Sequence, residues 1–211
     1  MVKADKLTTS LFDDLCVQKP DPMELFAQWL EQARKSEVND ANAMVLATVD
    51  ADGMPDCRIM LLNGFGPDGF VFYTNTLSAK GSQLAANPKA AILFHWKSSR
   101  RQVRVRGMAH KISDQLADAY FQSRPRGSRI GAHASFQSQP LANRDELETR
   151  VKELTEQFDG EEVPRPAHWT GYEILPLYIE FWQDGEFRLH DRFVYRRESS
   201  KDKWKAERLN P

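Results

Sequence analysis

The feature that most constrains this chain is a succession of short strand-forming runs joined by tight turns, with helices inserted between groups of strands. Residues 43–49 read as a strand, Asp50-Ala51-Asp52-Gly53 as a turn, and residues 57–62 as the returning arm of a β-hairpin. Residues 64–69 form another turn, leading into the aromatic strand 70–74. An apolar strand at 90–96 and a basic turn at 97–101 precede residues 102–108. There Val103 and Val105 alternate with Arg104 and Arg106, so one face is buried and the other wet. The last third holds strands at 172–182, at 186–196 after the turn Gln183-Asp184-Gly185, and at 203–209. Seven or eight strands in this order predict a mainly β fold, an antiparallel sheet or barrel with helices packed outside it. Alternating βαβ order is missing, and no glycine-rich phosphate loop of the dinucleotide or nucleotide type can be read.

The helices announce themselves by their caps. Asp21, Pro22 and Glu24 open a first helix whose Leu25, Phe26, Trp29, Leu30 and Ala33 recur at helical spacing. A short helix is expected over residues 78–86. Another starts at Ser113, bears Leu116, Ala119 and Tyr120, and breaks near Arg124-Pro125. Asn143 with Glu146 opens a further helix, lined by Leu147, Val151, Leu154 and Phe158 and closed by Gly160. Pro164-Arg165-Pro166 is a linker. The expected organisation is a flexible N-terminal segment, residues 1–20, and a single domain over residues 21–211.

Charge and cysteine content exclude several classes. Lys plus Arg (29) nearly cancels Asp plus Glu (30), so the net charge of -1 creates no global attraction to nucleic acid or an anionic membrane. Any anion site must be local. Two cysteines, Cys16 and Cys57, are too few for a disulfide framework, which points to a reducing cytoplasm. No apolar run resembles a signal peptide or a membrane span, so neither membrane nor nucleic acid is an expected partner.

Arginine is the informative residue. Arg58, Arg124, Arg126, Arg188 and Arg192 each lie in or beside an apolar or turn segment, where a planar fork of donors suits phosphate or carboxylate. The run Ser123-Arg124-Pro125-Arg126-Gly127-Ser128-Arg129 offers charged donors, hydroxyls and free backbone N–H groups to a phosphate; it reads equally as a solvated loop. The basic strand near Trp96 is a solvated face or, less simply, a single-strand nucleic-acid surface. None of the five histidines has metal-motif spacing, so no metal is expected. On a strand, Arg188, His190 and Arg192 would share a face and need an anion opposite them; the alternative is a salt-bridged strand. Without a nucleophile elbow or a compelling carboxylate pair, an enzyme of this kind would rely on a cofactor for the hard step.

The chain then shows Arg58-Ile59-Met60-Leu61-Leu62, Phe72-Tyr73-Thr74-Asn75, Ser78-Ala79-Lys80, Arg101-Gln102-Val103, Tyr120 through Arg126, Gln137-Ser138, Glu180-Phe181-Trp182 and Arg188-Leu189-His190-Asp191-Arg192. In this order, over about residues 21–211, they resemble the pyridoxamine/pyridoxine 5'-phosphate oxidase family. The resemblance implies a split antiparallel β-barrel and a homodimer with FMN at the subunit interface. It places Arg58 and Lys80 on the FMN phosphate. Met60, Leu61, Tyr73, Thr74, Gln102, Gln137, Ser138, Trp182 and Arg192 would contact the rest of the flavin. Tyr120, Arg124 and Ser128 would bind the substrate phosphate, and Arg188 and His190 would lie over the pyridine ring as catalytic residues. The implied reaction makes pyridoxal 5'-phosphate by hydride transfer from substrate C4' to flavin N5, with O2 reduced to hydrogen peroxide.

The chain also departs from that pattern. Asn63 stands where the family usually has a lysine reaching the substrate phosphate, and Ala79 where many members carry a second basic contact to the FMN phosphate. His133 replaces a common tryptophan, and Phe136 occupies a usually polar position. Two readings follow: the remaining phosphate ligands suffice, or Asn63, His133 and Phe136 adapt the same scaffold to an unphosphorylated or differently shaped substrate.

Overall fold

The computed structural model describes residues 20–211; the segment expected over residues 1–20 lies, Pro20 apart, outside the described residues. Helix α1 (Pro22–Ser36) begins where the Asp21 carboxylate accepts hydrogen bonds from the backbone N–H groups of Met23 and Glu24, with Pro22 presetting the first turn. It buries Leu25, Phe26, Trp29, Leu30 and Ala33 against the sheet. Phe26 sits edge-on to Phe65 and Phe70 at 5.0 and 4.9 Å and tilts against Phe94 at 5.0 Å, so four rings lock the helix in place.

The sheet comprises β1 (Ala43–Val49), β2 (Pro55–Leu61), β3 (Gly64–Gly66), β4 (Gly69–Asn75), β5 (Lys89–Trp96), β6 (Arg101–Lys111), β7 (Trp169–Gln183), β8 (Asp191–Arg196) and β9 (Lys205–Leu209). Every pairing is antiparallel. The path runs β2-β1-β5-β6-β7-β4-β3, and β8 and β9 branch from β7. The branch explains the curl. Along one edge β7 carries β6; along the other it pairs with β4 through Trp169 to Ile174 and with β8 through Tyr178 to Gln183. A bulge between Arg106 and Gly107 bends the strands at the same level. A Cβ on Gly107 would lie 2.0 Å from the Leu175 carbonyl oxygen, so only glycine fits there, and Pro176 opposite needs no ladder N–H. The result is the expected mainly β architecture, a split antiparallel half-barrel.

Helices α2 (Ala79–Ala86), α3 (Asp114–Ser123), α4 (Arg126–Ala134) and α5 (Arg144–Gln157) lie outside the sheet. Ser78, Ser113 and Asn143 cap α2, α3 and α5 through their side chains. A second apolar cluster, Phe121, Ile130, Val163 and Trp169, joins α3 and α4 to the start of β7.

Two expectations are corrected. Residues 126–134 are helical, whereas the glycine-bearing run from Ser123 to Arg129 suggests a loop; burial of Ile130 and Ala134 overrides weak propensity. Residues 186–190 are not strand. Glu186–Arg188 form a 3-10 turn with Phe187 and Arg188 at positive φ, and β8 starts only at Asp191. Strand alternation therefore does not place Arg188, His190 and Arg192 on one face. No described helix is long and apolar enough to cross a membrane.

Candidate active site

Three groups of side chains emerge, each placed by neighbouring elements. The first lies where β2 meets α2. Arg58 on β2 donates from Nη1 to Thr48 Oγ1 at 2.5 Å and to the Leu46 carbonyl at 3.3 Å, and from Nη2 to Asp56 Oδ2 at 2.5 Å and Gln83 Oε1 at 3.2 Å. Gln83 Nε2 in turn donates to Asp56 Oδ2, and that bond, with the Arg58 charge, lowers the Asp56 pKa. Lys80, one helical turn before Gln83, is only 6% exposed, and its ammonium donates to Ser78 Oγ at 3.3 Å. Among the described residues it forms no ion pair. Burial first, and Arg58 second, lower its pKa, while Asp56 pulls the other way. Helix α2 comes this close because residue 81 is glycine: a Cβ there would sit 2.4 Å from the Thr76 carbonyl oxygen.

The second group is aromatic. Tyr73 on β4 stacks on Tyr120 of α3 at 3.8 Å and 7°, and on Trp169 at 5.1 Å and 9°. Arg124 lies 4.8 Å above the Trp169 ring, and its Nη1 is buried with no hydrogen-bond partner. Asn63 Nδ2 donates to the Tyr120 hydroxyl at 2.5 Å. Asn63 and Tyr73 line one groove of about 560 Å³. Thr74, next to Tyr73 but on the buried face, also keeps a side-chain oxygen without a partner. Ser128 is exposed in the first turn of α4. Arg126 donates to the Glu161 and Phe158 carbonyls and Arg129 Nη1 to Gln122, while Arg124 Nη1 and Arg129 Nε are buried without a hydrogen-bond partner.

The third group spans the sheet. Gln102, Trp182 and Arg192 are register partners across β6, β7 and β8. Trp182 packs against the His190 ring at 4.7 Å. His190 Nδ1 lies 3.1 Å from Asp184 Oδ1 and accepts from Gly185 N–H at 3.2 Å. Arg192 Nε donates to Glu180 Oε1 at 2.8 Å, and Glu180 also accepts from Arg104 and the Tyr178 hydroxyl. Burial alone would raise the Glu180 pKa; the bonds from Arg192, Tyr178 and Arg104 instead hold it down to about 2.

Some expected residues stand apart. Met60 is half-buried beside the core and Leu61 is exposed on β2. Arg188 is exposed, and Gln137 and Ser138 occupy the exposed segment after α4; among the described residues no side-chain hydrogen bond joins these three to the groups above. His133 accounts for itself by packing: its Nε2 is 2.7 Å from the Pro164 carbonyl and its ring lies between Phe121 and Phe158. Phe136 lies under the Arg150 guanidinium at 4.5 Å. Of Asn63, His133 and Phe136, Asn63 is the one that lines the groove beside Tyr73. The basic strand is likewise engaged internally, with Arg101 over Trp29 and Arg104 on Glu180. Sequence reasoning missed Thr48, Asp56, Gln83 and Trp169. Gln83 lies three residues after Lys80 on a helix and Asp56 two before Arg58 on a strand, so same-face spacing was a usable signal.

Residues 30–158 match the family described as pyridoxamine 5'-phosphate oxidase, and residues 169–211 match the pyridoxine 5'-phosphate oxidase C-terminal dimerisation region. A pyridoxine/pyridoxamine 5'-phosphate oxidase of Azorhizobium caulinodans is 58% identical over 191 residues, covering 90% of each chain. One from Mesorhizobium japonicum is 55% identical over 206 residues, covering 98% of each. Among solved structures, PhzG from Burkholderia lata in complex with tetrahydrophenazine-1-carboxylic acid superposes with a TM-score of 0.87 at 30% identity, over 95% of this chain and 96% of its own. A pyridoxamine 5'-phosphate oxidase-related, FMN-binding protein from Nostoc punctiforme shares the fold, with a TM-score of 0.72 at 22% identity over 91% and 98% of the two chains.

The residues present fit such a cofactor. Two cations, Arg58 and Lys80, face one carboxylate, Asp56, which leaves an uncompensated positive charge suited to a phosphate monoester. The unpartnered Thr74 hydroxyl next to Tyr73 offers a further polar contact. The chain belongs to the pyridoxamine 5'-phosphate oxidase family of FMN-dependent oxidoreductases.

Proposed function

We propose that this chain is a pyridoxamine/pyridoxine 5'-phosphate oxidase acting as a homodimer in the cytoplasm, with residues 21–211 forming one FMN-binding domain. The observation that carries the reading is the buried Lys80 ammonium beside Arg58, a cationic cradle in which Lys80 forms no ion pair among the described residues. Arg58 and Lys80 hold the FMN phosphate. The backbone of Met60 and Leu61, with Tyr73, Thr74, Gln102, Gln137, Ser138, Trp182 and Arg192, surrounds the rest of the flavin. When bound, FMN supplies a two-electron acceptor that O2 regenerates, yielding hydrogen peroxide.

The chain's own task is orientation. Tyr120, Arg124, Ser128 and the Asn63 amide take the substrate phosphate, with the unused Arg124 donor as its strongest ligand. Tyr120 is held for this role by stacking on Tyr73. Arg188 and His190 complete the site over the pyridine ring. The turn carrying them lies in the stretch matching the dimerisation region, and so does the exposed pair Phe187 and Leu189. The reading with an altered, unphosphorylated substrate loses two of its three supports, because His133 and Phe136 are engaged in local packing.

The test is anaerobic mixing of the purified yellow protein with pyridoxine 5'-phosphate and, separately, with unphosphorylated pyridoxine, while flavin absorbance is followed. Bleaching by the phosphate ester is the expected result. Bound flavin bleached by neither compound overturns the assignment.

A further inference from the structure

Glu180 is a carboxylate in the apolar run Ile179-Glu180-Phe181-Trp182, and only 2% of it is exposed. Its two oxygens are fully used: Oε1 accepts from Arg192 Nε at 2.8 Å, and Oε2 accepts from Arg104 Nη2 at 2.5 Å and from the Tyr178 hydroxyl. Arg192 has a second tether, from Nη1 to the Asn210 carbonyl at 3.1 Å. Among the described residues its Nη2 makes no hydrogen bond, and its side chain remains 26% exposed. A long, flexible cation is thus held by two of its three nitrogens with the third left available. Buried ion pairs of this kind rarely add stability over well-packed apolar residues, so one in the middle of a core strand calls for another reason.

The geometry points to Glu180 as a positioning residue that fixes Arg192 for the flavin. This rests on the reading that Arg192 contacts FMN. An untethered arginine must surrender its rotamer freedom on binding a ligand, whereas Glu180 has ordered Arg192 in advance. Glu180 also separates two guanidiniums. Without its charge, Arg104 and Arg192 would repel each other, and Arg192 would swing from its place next to Trp182 in the register.

The experiment measures FMN release from the purified full-length holoprotein, read as the rise of flavin fluorescence on dilution, together with thermal unfolding. Glu180→Gln should weaken FMN retention by about 10-fold or more. Because that variant leaves a buried cation uncompensated, it is compared with Glu180→Gln/Arg104→Gln, in which the charge balance is restored. A positioning role predicts that the double variant recovers its melting temperature while FMN retention stays weak. A double variant that retains FMN as tightly as the parent overturns the inference, because Glu180 would then serve only to neutralise buried charge. Arg192→Ala should weaken retention by itself, and adding Glu180→Gln to it should change release by less than about twofold. If Arg192→Ala releases FMN no faster than the parent, the inference falls together with the reading of Arg192, and the cause lies in that reading.

Discussion

The cradle around Arg58 and Lys80 and the turn around Arg188 are both charged, yet they are built in opposite ways. In the cradle Arg58 meets four acceptors, Asp56 and Gln83 bind each other, and Lys80 is buried in the first turn of α2. In the turn, Phe187 and Leu189 are 90% and 69% exposed, Arg188 sits in left-handed backbone, and its side chain has no hydrogen bond or ion pair among the described residues. A group that holds a resident cofactor gains from being ordered before the cofactor arrives. Residues that act at a reacting ring under a second subunit can wait for that surface to order them.

The strongest way to break this contrast is to remove the cradle's central donor. Arg58→Ala should raise the FMN dissociation constant by about 100-fold, the upper range for losing a charge-assisted hydrogen-bond partner. Fluorescence titration of FMN release checks it, and a change below threefold would mean that Arg58 is a purely structural hub for Thr48, Asp56 and Gln83. Arg188→Ala should do the reverse. FMN retention should hold within about twofold while kcat/KM for pyridoxine 5'-phosphate falls by roughly 10- to 100-fold. Loss of FMN from that variant would show that the turn and the cradle are not separable.

The legibility of the two regions differs for the same physical reason. Hairpins, α1 and the Val103/Val105 strand follow from period and caps, which are local properties. Arg58 and Lys80 were readable, and Gln83 and Asp56 could have been found from same-face spacing. The turn was not readable. Arg188, His190 and Arg192 alternate as a strand would, but nothing in Phe187-Arg188 signals positive φ, since neither residue is glycine or asparagine. Helix α4 escaped for a related reason: Gly127, Ser128 and Gly131 argue against a helix, and only the tertiary burial of Ile130 and Ala134 explains it.

Acid–base behaviour sharpens the cradle's side of the comparison. Burial and Arg58 lower the Lys80 pKa, so its ammonium loses its proton at a lower pH than an ordinary lysine. The neutral amine cannot pair with phosphate. FMN affinity should therefore fall as pH rises through that lowered value, and bound phosphate will oppose the loss by favouring the charged form. In Lys80→Arg the alkaline fall should disappear, because guanidinium keeps its charge. An unchanged alkaline limb in that variant would remove Lys80 from the phosphate site.

Asn63 tests whether the substrate end resembles the cradle or the turn. It touches Tyr120 through one neutral hydrogen bond, so Asn63→Lys adds a cation beside a hydroxyl assigned to the substrate phosphate. KM for pyridoxine 5'-phosphate should drop by up to about 10-fold, with no change for unphosphorylated pyridoxine. Equal effects on both substrates would mean that position 63 does not read the phosphate.

The smallest effect is expected at Phe187, and it decides what sets the turn's shape. A phenylalanine at φ 54° pays a left-handed backbone penalty of about 1 kcal/mol that glycine escapes, while glycine loses a comparable amount of chain entropy on folding. With 90% of the side chain exposed, an isolated subunit has almost no burial to lose. Phe187→Gly should then shift the melting temperature by less than a few degrees at dilutions where the chain is monomeric. In the homodimer the same change should cost more, because the exposed ring is one of the apolar contacts that the partner surface would cover. A concentration-dependent melting temperature whose dependence weakens in Phe187→Gly would show that the turn is ordered by association. An identical small shift at every concentration would show that the chain alone sets its shape, and the contrast with the cradle would then be one of exposure and not of assembly.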